Sequence, residues 1–167
     1  MKNKSNFFSR TVYILAVFIV TLSNLVAQTE KIAFEKYGIA EGLPEEVGLN
    51  FVQDKQGFIW IATQNGLAKF DGYKMHVFRA NPDNPNGLQL RNLNGGLLIA
   101  SDNKLWIAAV GKTGGLSSYD PKTETFTNYA INIADSTKVP NQTNSVLFED
   151  ITKNIWFNSY DESQSFI

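Results

Sequence analysis

Few side chains in this chain of 167 residues could carry out covalent or acid–base catalysis. The sequence contains no cysteine and one histidine, His76, which alternates with apolar residues as a strand residue does. Nucleophilic catalysis needs a nucleophile beside a base, and acid–base catalysis needs a positioned pair of titratable groups. Since neither arrangement is evident, we predict no catalytic residue, no cofactor-binding residue and no metal ligand.

Two carboxylates, Asp71 and Asp120, recur in the same setting. Each follows an aromatic residue at the expected end of a strand and precedes Gly or Pro. A catalytic role is one interpretation, but an Asp in such a turn ordinarily accepts hydrogen bonds from backbone N–H groups. Residues 54–57 similarly predict a hairpin, because the alternating acidic ligands of a calcium loop are missing.

Aromatic side chains offer a different chemistry, since their faces can stack on the apolar faces of sugar rings. The three tryptophans, Trp60, Trp106 and Trp156, are 46 and 50 residues apart. Each follows an apolar stretch and a polar turn, and each is flanked by residues typical of strands. A large ring in that position most often fills the space between packed sheets. We therefore predict a structural role for the tryptophans over sugar recognition.

The segments after the first two tryptophans also repeat. A third strand is expected from Gly66 and from Gly115, and both glycines are predicted to supply a positive φ in a tight turn. A fourth strand is expected around Met75–Phe78 and Thr125–Tyr129. Only one short helical turn is plausible after residue 28, within residues 41–48.

This pattern predicts the fold class. Four short strands bounded by turn residues over a period of roughly 45 residues indicate a propeller blade. We predict an all-β, partial β-propeller of about three four-stranded blades, the last incomplete, with repeats at about 47–80, 93–130 and 143–167. A β-sandwich is the alternative, but it would not require the same phrase to recur after each tryptophan.

The N-terminus predicts export. Three basic residues and no acid occur in the first ten positions, followed by an uncharged apolar run over residues 11–22. These features and the small residue Ala27 predict a signal peptide over residues 1–27, with an uncleaved membrane anchor as the alternative. The remaining residues 28–167 carry 12 basic and 16 acidic side chains. Such a chain lacks the basic footprint of a nucleic-acid-binding protein.

Two stretches carry a family resemblance. The phrases EGLP and QDKQGFIWIATQNGLAKFDGY, within residues 41–73, resemble the first repeat of the two-component-regulator propeller family. The second repeat, NKLWIAA followed by GGLSSYDPKTETFTNY, is similar to that family's internal repeats. The resemblance implies the periplasmic sensor region of a hybrid histidine kinase, whose membrane helix, kinase and DNA-binding modules follow downstream. It also implies an oligosaccharide ligand, further blades or a second propeller as partners, and a homodimeric parent protein.

We therefore predict that residues 28–167 form an extracytoplasmic ligand-sensing input segment that catalyses nothing. Any kinase activity would lie in a downstream region, and contact with the membrane would be made only through that region. The alternatives are a fragment of a propeller-type lyase or hydrolase and a scaffold for protein–protein contact, since propellers host all three functions. The turn-rich loop at residues 81–87 is the expected point of contact with a partner.

Overall fold

The computed structural model describes residues 4–23, 32–111, 114–129, 143–160 and 165–166. The chain divides into two units, residues 1–36 and 37–167. The first unit contains helix α1, Lys4–Ser23, which lies within the predicted signal peptide. Among the residues described, no helix is both long and apolar enough to span a membrane. The proposed cleavage point after Ala27 lies outside the described residues, so the signal peptide stays a prediction.

The second unit consists of three antiparallel sheets after a short 3-10 helix, Ile39–Glu41. Blade 1 contains β1 to β4, blade 2 contains β5 to β8, and blade 3 contains β9 to β11. The strands are β1 Asn50–Gln53, β2 Ile59–Thr63, β3 Gly66–Phe70, β4 Met75–Phe78, β5 Leu97–Ile99, β6 Leu105–Ala109, β7 Gly115–Asp120, β8 Thr125–Tyr129, β9 Thr143–Glu149, β10 Ile155–Tyr160 and β11 Ser165–Phe166.

Each sheet is a meander in which consecutive strands pair. Every strand falls within one of the three predicted repeats, and blade 3 shows three strands among the described residues. The all-β prediction and the partial propeller are therefore confirmed. The helical turn expected within residues 41–48 lies earlier, at Ile39–Glu41. It ends at Gly42, whose left-handed backbone (φ 104°) stops the helix.

The blades pack face to face in a constant order. The core between blades 1 and 2 contains Trp60 and Ala62 from β2 against Leu105 and Ile107 from β6. The opposite face of blade 2 packs Ala108 against Phe157 of blade 3. Since side chains alternate across a strand, Trp60 and Trp106 face the following blade. Ile155 and Phe157, which flank Trp156, face the preceding one.

The turns between the first two strands of each blade share one backbone conformation. The residue three positions before each tryptophan has a positive φ: Gly57 at 93°, Asn103 at 71° and Lys153 at 71°. Hydrogen bonds also link neighbouring turns, because Lys55 Nζ donates to the Ser101 carbonyl at 2.6 Å. The Ser101 hydroxyl donates to Glu149 Oε1 at 2.7 Å. These contacts connect all three blades along one rim.

The two glycines that open the third strands differ. Gly66 has a φ of 140°, as predicted. A Cβ there would lie 2.7 Å from the Phe78 carbonyl oxygen, so only glycine allows this approach of β4. The prediction for Gly115 is wrong, since Gly115 is not among the positive-φ residues and pairs with Ala109 as ordinary strand. Within the described part of the β6–β7 turn, Gly111 has a left-handed backbone (φ 105°).

Candidate ligand-binding cleft

Trp60 is a core residue, as predicted. Its side chain is 1% exposed and lies 5.0 Å from the Tyr119 ring of blade 2 and 5.8 Å from the Phe78 ring. Its indole N–H donates to Asp54 Oδ2 at 2.8 Å. The other oxygen of this carboxylate, Oδ1, accepts the backbone N–H groups of Gln56 and Phe58, each at 3.0 Å. Asp54 therefore fixes the hairpin and the indole together, a role that the sequence reading of residues 54–57 did not include.

The other two tryptophans show how this arrangement varies. Trp156 donates to Asp150 Oδ2 at 2.9 Å, and this hydrogen bond is the main cause of the lowered pKa of Asp150. Trp156 is 38% exposed, whereas Trp60, which packs against blade 2, is 1% exposed. In blade 2 the equivalent acceptor position is Ala100, and Trp106 stacks on Tyr129 at 5.3 Å.

The carboxylates singled out in the sequence cap turns, as predicted. Asp71 Oδ1 accepts the backbone N–H groups of Lys74 and Tyr73 at 2.7 and 2.8 Å, and these hydrogen bonds, that of Lys74 first, lower the pKa of Asp71. Asp120 Oδ1 accepts the Lys122 N–H at 2.8 Å. His76 is exposed on β4 with its ring edge-on to Phe78. Among the described residues, no three His, Cys, Asp or Glu side chains are grouped so that they could hold a metal ion.

A cleft of about 170 Å³ opens on blade 1 at the rim that carries the β2–β3 turn. This rim is opposite the β1–β2 and β3–β4 turns that Asp54 and Asp71 cap. Its lining is polar or basic apart from three small or aliphatic residues, and none of it is acidic. The lining residues are Gln64, Asn65, Gly66, Arg79, Ala80, Leu90 and Arg91. They come from the β2–β3 turn, from the first residue of β3 and from positions on either side of residues 81–88 in the connection between blade 1 and blade 2.

The β2–β3 turn is held rigidly by one buried hydroxyl. Thr63 is fully buried; its Oγ1 donates to the Gly66 carbonyl at 2.8 Å and accepts the Asn65 N–H at 3.1 Å. The side-chain amides of Gln64 and Asn65 make no hydrogen bond among the described residues and are exposed. Two donor–acceptor groups are therefore presented to the cleft on a fixed backbone.

The inter-blade loop brings its two ends together. Asn81 N donates to the Leu88 carbonyl at 2.8 Å, which closes residues 81–88 into a compact loop. Leu88 and Leu90 are buried in the core between blades, whereas the neighbouring Arg91 is exposed. Arg79 directly follows β4, and the two arginines line the same cleft although they lie 12 positions apart in the sequence.

The predicted contact loop, residues 81–87, is itself bound to blade 2. Phe126 N donates to the Asn86 carbonyl at 2.8 Å, and Asn128 Nδ2 donates to the Gly87 carbonyl at 2.8 Å. The tip of the loop thus lies against β8, while the cleft forms at its base. Contact of this loop with a partner stays a prediction.

Both guanidinium groups keep most of their hydrogen-bonding capacity. Arg79 Nη1 donates to the Asn65 carbonyl at 3.2 Å, and neither arginine pairs with a carboxylate within the part of the chain described. A guanidinium presents five donors in a planar fork that matches an oxyanion. The cleft is therefore suited to an anionic group, with the amides of Gln64 and Asn65 available for hydroxyl groups.

Sequence reasoning did not identify this cleft. A signal was nevertheless present, because Arg79 and Arg91 are the only two arginines after residue 10 and flank a turn-rich loop. What could not be read from the sequence is the closure of that loop by the hydrogen bond between Asn81 and Leu88.

Comparison with known proteins finds a family match on blade 1. Residues 42–65 match the model of the two component regulator propeller family. This segment includes β1, β2 and the turn that supplies Gln64 and Asn65 to the cleft. The family resemblance drawn from the sequence is thereby confirmed.

Particular proteins are similar to this chain. The chain is 32% identical over 72 residues to Histidine kinase P4 of Formosa agariphila, a match that covers 43% of this chain and 5% of that protein. It is similar to the extracellular domain of the hybrid two component system BT3049 from B. thetaiotaomicron, with a TM-score of 0.61 and 26% identity over 74% of this chain. A second extracellular domain, that of BT4673 from the same organism, matches in fold with a TM-score of 0.55 and 22% identity over 77% of this chain.

The chain spans a small part of these relatives, namely 17% of each of the two solved chains. Within that limit, the family match and the extracellular domains together support a role as a sensor input segment.

Proposed function

We propose that residues 28–167 form part of the extracytoplasmic sensor of a two-component regulator and bind an oligosaccharide. The segment contributes ligand contacts and transmits the bound state to the rest of the protein. It performs no chemistry on the ligand.

One observation carries this proposal: the family match at residues 42–65 falls on the same blade as the polar cleft. The match supports the regulatory role, and the cleft offers side chains suited to binding. Rigid strands that present a polar rim are a common arrangement for recognition, because the scaffold fixes the positions of the loop side chains.

The side chains at the cleft favour binding over catalysis. Its lining contains no carboxylate, histidine, serine or threonine. Arginine remains protonated in proteins, so it cannot act as a general base. Amides and guanidinium groups are instead hydrogen-bonding groups suited to sugar hydroxyl and anionic substituents.

The outer faces of the described blades support the proposal that further blades are partners. Phe51 on blade 1 is 63% exposed and Phe148 on blade 3 is 51% exposed. In the interior of this fold, the equivalent faces are covered by a neighbouring blade, as blade 2 covers Trp60. We infer that further blades or a second propeller cover these faces in a homodimeric parent protein, since closing the ring removes open edges.

The proposal is tested by isothermal titration calorimetry of the full chain against a panel of tetrasaccharides, with product analysis of the same mixtures by chromatography. We expect saturable binding of at least one oligosaccharide and its recovery unchanged. Cleavage of a bound glycan would overturn the receptor role in favour of a lyase or hydrolase. Absence of binding to every member of a panel of neutral and acidic glycans would count against a sugar ligand.

A further inference from the structure

We propose that the cleft formed by Arg79, Arg91, Gln64 and Asn65 binds an acidic oligosaccharide, with a uronate carboxylate or a sulfate ester held between the two guanidinium groups. This inference rests on the proposed sensor function and assigns the chemical class of its ligand. The shared chemistry is a sugar that carries an oxyanion.

The charge distribution is the first argument. Residues 28–167 carry more acidic than basic side chains, 16 against 12, yet the cleft contains two arginines and no acid. Two cations that line one cleft repel each other, and an anion between them offsets that repulsion. Among the described residues, no carboxylate pairs with either arginine: the ion pair in this part of the chain joins Lys104 to Asp102, away from the cleft.

The positioning of the two arginines is the second argument. Closure of the loop between Asn81 and Leu88 and burial of Leu90 fix Arg91 at the cleft. Asn92 strengthens this arrangement: its N–H donates to the Gln64 carbonyl at 2.9 Å, and its φ is 54°. A non-glycine residue in the left-handed region requires support from the surrounding structure. These contacts therefore hold the backbone in a conformation that places Arg91 beside the β2–β3 turn.

The side-chain amides of Gln64 and Asn65 indicate that the anionic group belongs to a sugar. Gln64 and Asn65 each provide a donor and an acceptor that no other described residue uses. Free sulfate offers only acceptors, whereas a sugar hydroxyl can donate and accept at the same time. The combination of a fork for an oxyanion and neighbouring amides for hydroxyl groups therefore matches an acidic sugar better than an inorganic anion.

The test compares Arg91→Gln with a matched control, Lys74→Gln. Arg91 makes no described hydrogen bond through its side chain, so its loss should leave the fold intact. Lys74 is also exposed and cationic but lies in the β3–β4 turn, at the other end of the blade. The probes are a tetragalacturonide, a sulfated heparin tetrasaccharide, the neutral cellotetraose and sodium sulfate, each titrated into the full chain by calorimetry.

We expect an acidic tetrasaccharide to bind more tightly than cellotetraose, and we expect Arg91→Gln to weaken that binding by about 10- to 100-fold. Lys74→Gln should change the affinity less than about threefold, as expected for a distant, screened charge. Preference for the tetragalacturonide identifies a carboxylate ligand, and preference for the heparin probe identifies a sulfate ester. Either preference supports the inference.

Equal affinity for cellotetraose and the acidic probes would overturn the acidic class, and full affinity in Arg91→Gln would overturn the location. Sodium sulfate that binds as tightly as the sulfated sugar would also refute it, because the site would then recognise a simple anion. These outcomes leave the sensor role standing, which is tested separately by signalling in cells.

Discussion

Replacement of Trp60 by alanine should destabilise the chain more than the same replacement of Trp156. Trp60 is 1% exposed and contacts rings from two blades, Phe78 and Tyr119. Truncation of a fully buried Trp costs roughly 3–5 kcal/mol of unfolding free energy. The Asp54 carboxylate, itself 8% exposed, would also lose its indole donor. With that orphaned acceptor included, we expect a total loss of about 4–6 kcal/mol.

The two contributions can be separated by a second variant. Trp60→Phe keeps most of the ring packing but removes the hydrogen bond to Asp54, so we expect a loss of about 1–3 kcal/mol. Trp156→Ala is the matched comparison, because Trp156 makes the same hydrogen bond but is 38% exposed and stacks on Phe148. Loss of that stacking costs about 0.5–1.5 kcal/mol.

Urea unfolding followed by far-ultraviolet circular dichroism measures all three variants. The loss expected for Trp60→Ala is close to the whole unfolding free energy of a small domain. Trp60→Phe therefore provides a smaller, measurable loss if the alanine variant does not fold. The reasoning is refuted if Trp60→Ala keeps the wild-type midpoint and loses only ligand binding. It is also refuted if Trp156→Ala is the more destabilised of the two alanine variants.

Three further predictions address the turns and the N-terminus. Gly66→Ala should lower the thermal stability more than Gly72→Ala. Both glycines have a positive φ, but of the two only Gly66 would bring its new Cβ against a backbone oxygen, that of Phe78. Equal losses of stability would show that this steric clash does not matter. In the folded chain, hydrogen bonds to Asp150, that from Trp156 the largest, lower the pKa of this carboxyl below its ordinary value of 3.8. The ionised Asp150 therefore stabilises the fold fully above pH 3.8, the value for the unfolded chain, and this stabilisation is lost as the pH falls through the lower pKa of the folded chain. Asp150→Asn should therefore flatten the acid decline of stability, and an unchanged decline would contradict this account. Intact-mass measurement of exported protein should show cleavage after Ala27, whereas a mass that retains residues 1–27 would indicate an anchor.

Most of the blade architecture could be predicted because it is local. A tryptophan after an apolar stretch and a polar turn marks the second strand of each blade, and pairing of consecutive strands needs no long-range information. The Asp71 cap was predictable for the same reason, since its partners are two and three residues away. Gly115 shows the limit of this reasoning, because a repeated Gly-Leu phrase does not fix which residue of the turn has the positive φ.

The cleft was not predictable because it depends on contacts between distant segments. Arg79 and Arg91 become neighbours through loop closure, and the Gln64 carbonyl receives the N–H of Asn92 from the far end of that loop. Trp156 illustrates the same dependence, since its exposure is set by what packs on the outer face of blade 3 rather than by its own repeat. Local patterns specify the blades, whereas tertiary contacts create the rim.

The central claim is that this segment is the input of a regulator, and it is tested most directly by a transcriptional reporter in cells that produce the full-length regulator. The measurement compares the intact protein with a form that lacks residues 28–167, each with and without an acidic oligosaccharide. A ligand acts only by favouring one arrangement of the protein over another, so the account predicts induction in the intact protein and none after the deletion. Induction of equal size in both forms would contradict it.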